Sequence, residues 1–347
     1  MVLVHLAFLI AGLVLLVKGS DYFVKSASSI ARSLGVSDFI IGLTLVAIGT
    51  SIPELASSVA ASLQQSGGLV VGNVVGSNVA NIGLIVGTAA ALSVIRTERE
   101  MLVRDGYIML FAALLFLVLV SDGRIGPYEA GAFLLLYIAY VFFLVEDKPK
   151  YRGRHDFRGY VRYFLRFGYL ARILRGAGAI AGRGQREEGS RDLQLKPLIK
   201  DILIICASGL AIVAGAHYLV REAIYIAGLL KVPDLVIGIT LIAVGTCLPE
   251  LTISVSAARK GYGSIVVGNI IGSNIANVFL VLGLSGSIFP LSVQGFTTTI
   301  TGIFMILLSL LLLFFIRTGW EIRRRDGIVF LALYVFFVVS LVFLVGS

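Results

Sequence analysis

Residues 47–58 read AIGTSIPELASS, and residues 243–254 read AVGTCLPELTIS. Each stretch sets a proline beside a glutamate in the middle of a long apolar run. Proline interrupts the hydrogen bonds of a helix, and a carboxylate in apolar surroundings is costly unless it has a partner. Two copies of the same costly pair predict a broken helix that carries a functional acid in each half of the chain.

The composition predicts a protein that crosses a membrane many times. Of the 347 residues, 58% are hydrophobic and 14% are charged, against about 25% charged residues in a typical soluble domain. The apolar runs are too many for a signal peptide followed by a soluble domain, so the first run is expected to be retained. The predicted fold class is an all-α polytopic membrane protein, because a span needs about 20 apolar residues in a helix. Ten spans are expected, near residues 2–18, 38–62, 69–94, 102–120, 127–145, 198–216, 234–258, 264–288, 297–316 and 327–345.

The distribution of Lys and Arg predicts the orientation of these spans. If the N-terminus lies outside, 26 of the 29 basic residues fall on the inner side, in loops or at the ends of spans, and fourteen of them lie between Lys148 and Lys200. Arg124, Arg221 and Lys231 fall outside. The positive charge on inner loops therefore predicts that both termini are outside and that segment 146–197 is cytoplasmic. The net charge of +9 needs no nucleic acid to explain it.

The chain contains an internal repeat at an offset of 196 residues. Roughly half of the positions in 36–87 are identical to their partners in 232–283, without a gap, including Pro53 with Pro249 and Glu54 with Glu250. Residues 1–145 and 198–347 are therefore predicted to be two repeats of five spans each. Because five is odd, the second repeat enters the membrane from the opposite side. Inverted repeats are typical of secondary transporters, whose binding site lies near the midplane between the repeats.

The repeated glutamates are the clearest candidates for an ion site. Glu54 and Glu250 fall in mid-span, where a carboxylate is functional by default, although a hydrogen bond for helix packing is the alternative. Pro53 and Pro249 free a backbone carbonyl one turn earlier, so backbone oxygen is expected beside each carboxylate. The residues three and four positions before each acid share its helical face: Thr50 and Ser51 in the first repeat, Thr246 and Cys247 in the second.

A polar stripe on the next span of each repeat supplies further oxygen. Its residues step by four: Asn73, Ser77 and Asn81, then Asn269, Ser273 and Asn277. Small polar residues also hold membrane helices together, and for Asn73 and Asn269 ligation and packing stay open. Two carboxylates with neutral oxygens suit Ca2+, which takes 6–8 oxygens, and also suit Na+. No cluster of His and Cys predicts a soft-metal site.

The motifs AIGTSIPELASS with GNVVGSNVANIG, and AVGTCLPELTIS with GNIIGSNIANVF, resemble the two alpha repeats of the cation/calcium exchanger superfamily. Within it the chain is most similar to sodium/calcium exchangers of the compact prokaryotic type, which implies a prokaryotic plasma membrane. The resemblance implies antiport of Na+ against Ca2+ by alternating access, with no covalent chemistry. It also implies that the first and sixth spans slide against the ion-binding core.

The resemblance further implies which residues bind the ions. Many members have an Asp at one of the two positions held here by Asn81 and Asn277, and many have a hydroxyl in place of Cys247. The implied ligands, with backbone oxygen from the two alanines, are Ala47, Thr50, Ser51, Glu54, Ser77, Asn81, Ala243, Thr246, Cys247, Glu250, Ser273 and Asn277.

The central segment predicts a contact with lipid. Arg158, Arg162 and Arg166 step by four among aromatic and aliphatic residues, which is typical of a basic amphipathic helix. Residues 157–181 are therefore expected to lie on the anionic inner leaflet.

Other transport classes stay open at this point. Two carboxylates can carry protons, so H+/Ca2+ exchange and K+-dependent Na+/Ca2+ exchange are alternatives. A cation channel is disfavoured, because an inverted repeat does not give the rotational symmetry usual in pores. The sequence contains no phosphate-binding loop, so neither a nucleotide, a cofactor nor an enzyme activity is expected.

Overall fold

The computed structural model describes residues 2–34, 37–145, 156–169, 195–229, 245, 247–292 and 295–346. These residues are mostly helical, as the composition predicts. The helices of the first repeat are α1 (Val2–Leu34), α2 (Asp38–Ile41), α3 (Ala47–Thr50), α4 (Ile52–Leu63), α5 (Gly67–Ala80), α6 (Gly87–Leu92), α7 (Tyr107–Leu119) and α8 (Pro127–Val145). They are followed by α9 (Phe157–Leu165), α10 (Leu195–Leu229), α11 (Leu248–Arg259), α12 (Gly263–Ala276), α13 (Leu282–Ile288), α14 (Gly295–Arg317) and α15 (Arg324–Gly346). Within these described ranges, four π-helical turns lie at Gly42–Val46, Asn81–Val86, Met101–Gly106 and Asn277–Val281.

Seven helical segments within the described ranges are long and apolar enough to cross a membrane. The most buried of them is Gly263–Ile288, which places α12 and α13 at the centre of the bundle. For the predicted span 234–258, the described part is residue 245 and residues 247–258, and the rest lies outside the described residues. The seven segments are His5–Ser33, Asp38–Leu63, Gly67–Leu92, Met101–Leu119, Pro127–Leu144, Gly263–Ile288 and Thr299–Arg317.

The predicted first span, 2–18, is too short, because α1 continues to Leu34. The sequence suggests a loop after residue 17, where Lys18 and Asp21 occur. In the structure this stretch is helical, and Asp21 accepts a hydrogen bond from Ser256 of α11 (2.6 Å) and pairs with Lys260 (2.7 Å), which directly follows α11. The sixth predicted span, 198–216, is also too short, because α10 runs from Leu195 to Leu229.

The two long helices α1 and α10 pack along each other over most of their length. Glycines make this approach close: a Cβ on Gly19 would lie 2.9 Å from Ile212, and one on Gly215 would lie 2.7 Å from the Gly12 carbonyl oxygen. Small residues that let helix backbones approach are a usual device of membrane helix pairs. The glycines therefore let α1 and α10 pack closely against each other.

Two short antiparallel sheets join the loops of the two repeats. Strand β1 (Ile95–Arg96) pairs with β4 (Glu321–Ile322), and β2 (Arg124–Ile125) pairs with β3 (Leu291–Ser292). Since β1 follows α6 and β3 follows the corresponding helix α13, each sheet links one repeat to the other.

A buried ion pair fixes the start of the Met101–Leu119 segment. Asp105 is fully buried, accepts from Arg104 Nε (2.8 Å) and accepts from the Tyr140 hydroxyl of α8 (3.1 Å). Both charges are satisfied locally, so this carboxylate is part of helix packing.

The amphipathic helix α9 packs against the membrane helices, which the sequence alone does not indicate. Tyr160 is buried, donates to the Leu136 carbonyl oxygen of α8 (2.9 Å) and stacks edge-on against Tyr140. Arg158, Arg162 and Arg166 remain exposed on the opposite face. The predicted helix 157–181 is described only as far as residue 169, and its remainder lies outside the described residues.

Candidate cation site

The chain turns at the same place just before each of the two helices that carry the glutamates. Ser51, between α3 and α4, has φ −82° and ψ 4°, and Cys247, before α11, has φ −86° and ψ 1°. Pro53 and Pro249 each follow two residues later, inside the first turn of the next helix, where proline is tolerated. The break places Glu54 and Glu250 in the first turns of α4 and α11, and both are buried, at 2% and 1% exposure.

The polar stripes meet these breaks at the centre of the bundle. Ser77 and Ser273 lie near the ends of α5 and α12 and are buried, as are Asn81 and Asn277. Asn81 and Asn277 each begin a π-helical turn. Single π-helical turns are frequent at functional sites, because the extra residue changes which side chains face inward.

Contacts between the repeats bring the two sets of residues together. The Thr50 hydroxyl lies within hydrogen-bond reach of Asn269 Oδ1 (3.2 Å) and of the Glu250 carboxylate. The Ser273 hydroxyl contacts the Ala47 carbonyl oxygen at 3.5 Å, and Cys247 Sγ lies 3.8 Å from the Ser77 hydroxyl. Residues that are about 200 positions apart in the chain therefore share one site.

Several oxygen atoms of this site have no hydrogen-bond partner among the residues that the structure describes. A buried oxygen without a partner costs about 1–3 kcal/mol, so a cluster of such atoms is not expected from packing alone. Carboxylate, amide and hydroxyl oxygens are the ligands that Ca2+ and Na+ take in proteins. The atoms are Ser51 Oγ, Glu54 Oε2, Asn81 Oδ1, Glu250 Oε2 and Asn277 Oδ1.

The other sequence-predicted residues have more varied positions. Asn73 Nδ2 donates to Ser58 Oγ (2.9 Å), and Asn269 Nδ2 donates to Ser254 Oγ (3.2 Å), so each ties its helix to the helix of a glutamate. The Ala47 carbonyl oxygen already accepts the Ser51 amide (3.0 Å). Ala243 and Thr246 lie outside the described residues.

Two residues that sequence reasoning missed stand at the centre of the site. Asn78 and Asn274 are each 2% exposed and hydrogen-bond the predicted ligands Asn277 and Asn81, at 3.0 and 2.9 Å. The signal was present, since both belong to the repeated GSN triplet. The spacing of four residues in the predicted stripe excluded them.

Comparison with known sequences identifies the family of the chain. A family model described as sodium/calcium exchanger protein matches residues 4–146 and 200–343, which covers both repeats. Sodium/calcium exchanger MaX1 of Methanosarcina acetivorans is 55% identical, over 99% of this chain and 100% of that protein. Inner membrane protein YrbG of Escherichia coli is 34% identical, over 82% of this chain and 80% of that protein.

Solved structures of the sodium-calcium exchanger NCX_Mj match the fold. One, soaked with Na+ and Sr2+, is 30% identical with a TM-score of 0.74, over 98% of this chain and 99% of that chain. Another, soaked without Na+ and Ca2+, has a TM-score of 0.75. The resemblance of the repeated motifs is confirmed, and the chain belongs to the sodium/calcium exchanger family of integral membrane proteins.

Proposed function

We propose that this protein exchanges Na+ for Ca2+ by alternating access, with the ions held between the two repeats around Glu54 and Glu250. The observation that carries this proposal is the set of buried oxygens without partners, to which both repeats contribute. Two carboxylates balance the charge of one Ca2+, and neutral amide and hydroxyl oxygens complete its coordination. The same oxygens accept Na+ when Ca2+ leaves, which couples the two fluxes.

The ligands proposed are those that the family motif indicates. The contacts support this set through Thr50, which joins Glu250 to Asn269, and through Ser77, Cys247, Ser273 and Ala47, which contact one another in pairs across the repeats. Ala243 and Thr246 complete the set by repeat equivalence.

The proposed architecture is ten membrane helices in two inverted five-helix repeats, with both termini outside the plasma membrane and segment 146–197 in the cytoplasm. The two sheets support it, because β1 joins β4 on one side and the equivalent strands β3 and β2 join on the other. The basic loops agree with this orientation.

The α1–α10 pair is the element proposed to move. Its two helices contact each other far more than they contact the helices that carry the glutamates. The ion pair of Asp21 with Lys260 connects α1 to α11, so it has to break if the pair slides past α11. Alternating access through one moving unit beside a fixed site is the behaviour expected of inverted-repeat transporters.

Transport measurements test the proposal. Proteoliposomes loaded with Na+ are expected to take up radioactive Ca2+ when diluted into Na+-free medium, and uptake is expected to stop when Na+ is equal on both sides. Replacing the Na+ gradient by a pH gradient serves as the control for proton coupling. Uptake driven by the pH gradient alone, or uptake that needs no counter-ion as in a channel, would contradict Na+/Ca2+ exchange.

A role for K+ is the second candidate. Human sodium/potassium/calcium exchanger 5 is 25% identical over 90% of this chain. Measuring Ca2+ uptake in the same vesicles with and without K+ distinguishes K+-dependent from K+-independent exchange. We expect Ca2+ uptake to be equal in both conditions.

We also propose that α9 binds anionic phospholipid. Its exposed face forms an open, shallow surface lined by Phe157, Arg158, Val161, Arg162, Leu165 and Arg166. Three arginines beside apolar side chains are complementary to a phosphate headgroup with its acyl chains.

Anionic lipid bound to α9 is expected to stimulate transport, and replacing Arg158, Arg162 and Arg166 by glutamine is expected to remove this stimulation. Transport is compared in vesicles with and without about a third phosphatidylglycerol, because each basic residue near a charged surface contributes about 1 kcal/mol. The matched control removes three charges at the start of α15, by replacing Arg323, Arg324 and Arg325 with glutamine. Equal loss of stimulation in both variants would show that total charge matters and α9 does not.

A further inference from the structure

We propose that Asn78 and Asn274 are positioning residues that turn the side-chain oxygens of Asn277 and Asn81 toward the bound cation. The proposal rests on the ion site proposed above and adds two residues to it that do not touch the ion. An asparagine presents either an oxygen or a nitrogen after a half-turn of its amide, and only the oxygen binds a cation. Some other group therefore has to select the orientation.

The orientation of Asn274 is fixed by acceptors that have no alternative. Its Nδ2 faces the Asn78 backbone carbonyl oxygen (3.5 Å) and Met109 Sδ (3.7 Å), and neither atom can donate. Turning the amide over would bring its oxygen against that carbonyl oxygen. The Asn274 Oδ1 consequently points toward Asn81, and these long contacts select an orientation even though each is weak.

Asn81 then has one orientation available. Its Nδ2 donates to Asn274 Oδ1 at 2.9 Å, the usual length of an N–H···O hydrogen bond. The Oδ1 of Asn81 therefore faces away from Asn274. That Oδ1 is buried and has no partner among the described residues. The contacts therefore run from the Asn78 backbone carbonyl, which can only accept hydrogen bonds, through the Asn274 amide to the Oδ1 of Asn81 at the ion site.

The same chain of contacts occurs in the other repeat. Asn78 Nδ2 faces the Asn274 backbone carbonyl oxygen (3.4 Å) and Met305 Sδ (3.4 Å), and Asn78 Oδ1 accepts from Asn277 Nδ2 at 3.0 Å. Asn277 Oδ1 is likewise buried and unpartnered in the described part of the chain. The arrangement therefore occurs twice, once for the neutral ligand of each repeat.

The contacts cross between the repeats. Asn274 of the second repeat orients Asn81 of the first, and Asn78 of the first orients Asn277 of the second. Each repeat therefore presents its neutral ligand correctly only when it is docked on the other repeat. Residues that orient metal ligands typically change metal affinity by 10- to 100-fold when they are removed.

Ca2+ titration of the purified full-length protein tests this inference. Asn274→Ala is expected to weaken Ca2+ binding roughly tenfold or more. In a double-mutant cycle, the effects of Asn274→Ala and Asn81→Ala are expected to overlap, because once the Asn81 amide is absent there is nothing left to orient. The matched control is the cycle of Asn274→Ala with Asn277→Ala, whose effects are expected to add.

A second double-mutant cycle pairs Asn78→Ala with Asn277→Ala, whose effects are expected to overlap, and uses Asn81→Ala as the control. This cycle tests the inference even if the Asn274→Ala variant does not fold. A purely structural role would lower the melting temperature without a preference for one partner. Two results would overturn the inference and leave the exchanger proposal standing. One is equal coupling of Asn274 to Asn81 and to Asn277. The other is a wild-type protein that binds Ca2+ and variants Asn274→Ala and Asn78→Ala that bind it with the same affinity. A wild-type protein that neither binds nor transports Ca2+ would overturn both.

Discussion

Replacing Glu54 or Glu250 by glutamine is expected to abolish Ca2+ exchange, with each substitution sufficient alone. Glutamine has nearly the same shape, so the helix break and packing are preserved while one negative charge is lost. Removing one partner of a buried charge pair typically costs about 3–5 kcal/mol, which is roughly a hundredfold to several thousandfold in affinity. The loss is expected in both directions of transport, because the two repeats share one site.

Uptake of radioactive Ca2+ into Na+-loaded vesicles measures this effect, with the melting temperature as a check on folding. Glu222→Gln is the matched control, because Glu222 on α10 is also buried, at 4% exposure, but its carboxylate is paired with His5 of α1. Ca2+ affinity is expected to change less than about threefold in this control, because Glu222 does not belong to the proposed ion site and glutamine can still hydrogen-bond at its position. Normal exchange in either Glu54→Gln or Glu250→Gln would remove that residue from the site.

Gly272→Ala is expected to disrupt the site by moving one helix. A Cβ on Gly272 of α12 would lie 2.4 Å from the Leu43 carbonyl oxygen and 2.7 Å from the Ala47 Cβ. Backbone atoms cannot turn away as side chains do, so α12 has to separate from the helical segment Gly42–Thr50 by about 1 Å to restore contacts near 3.5 Å. Overpacking of this kind costs about 1–3 kcal/mol of stability, and a 1 Å displacement of positioned groups can cost about a hundredfold in function.

The Gly272→Ala variant is compared with Gly131→Ala on α8. A Cβ on Gly131 has no heavy atom within 4 Å in the described structure, and alanine favours a helix more than glycine does. Thermal unfolding and Ca2+ uptake are expected to fall in Gly272→Ala and to be unchanged or slightly improved in Gly131→Ala. Equal behaviour of the two variants would show that close packing at Gly272 does not position the ligands.

The sequence contains much of this structure because its key residues are chemically costly and occur twice. Pro53 with Glu54 and Pro249 with Glu250 are unfavourable in an apolar helix, so their repetition indicates a site without any coordinates. The apolar runs place the Met101–Leu119 and Pro127–Leu144 segments within a residue or two. The length of α1 was not predictable from the apolar run, because the helix continues past Lys18 and Asp21, and Asp21 contacts Lys260, a residue 239 positions away in the chain.

The orientation of the asparagines was also beyond reach of the sequence. A one-dimensional pattern places Asn81 and Asn277 on the right face, but it does not say whether oxygen or nitrogen points inward. That choice depends on the Asn78 and Asn274 amides, which come from the opposite repeat. The docking of α9 depends likewise on Tyr160, whose hydroxyl finds a carbonyl oxygen in a different helix.

Calorimetric titration of Ca2+ into the purified wild-type protein and into the Glu54→Gln and Glu250→Gln variants tests the shared site most directly. One site built by both repeats predicts one Ca2+ per chain in the wild type and no measurable binding in either variant. Two Ca2+ per chain in the wild type, with one remaining in each variant, would show a separate site in each repeat and would contradict the account.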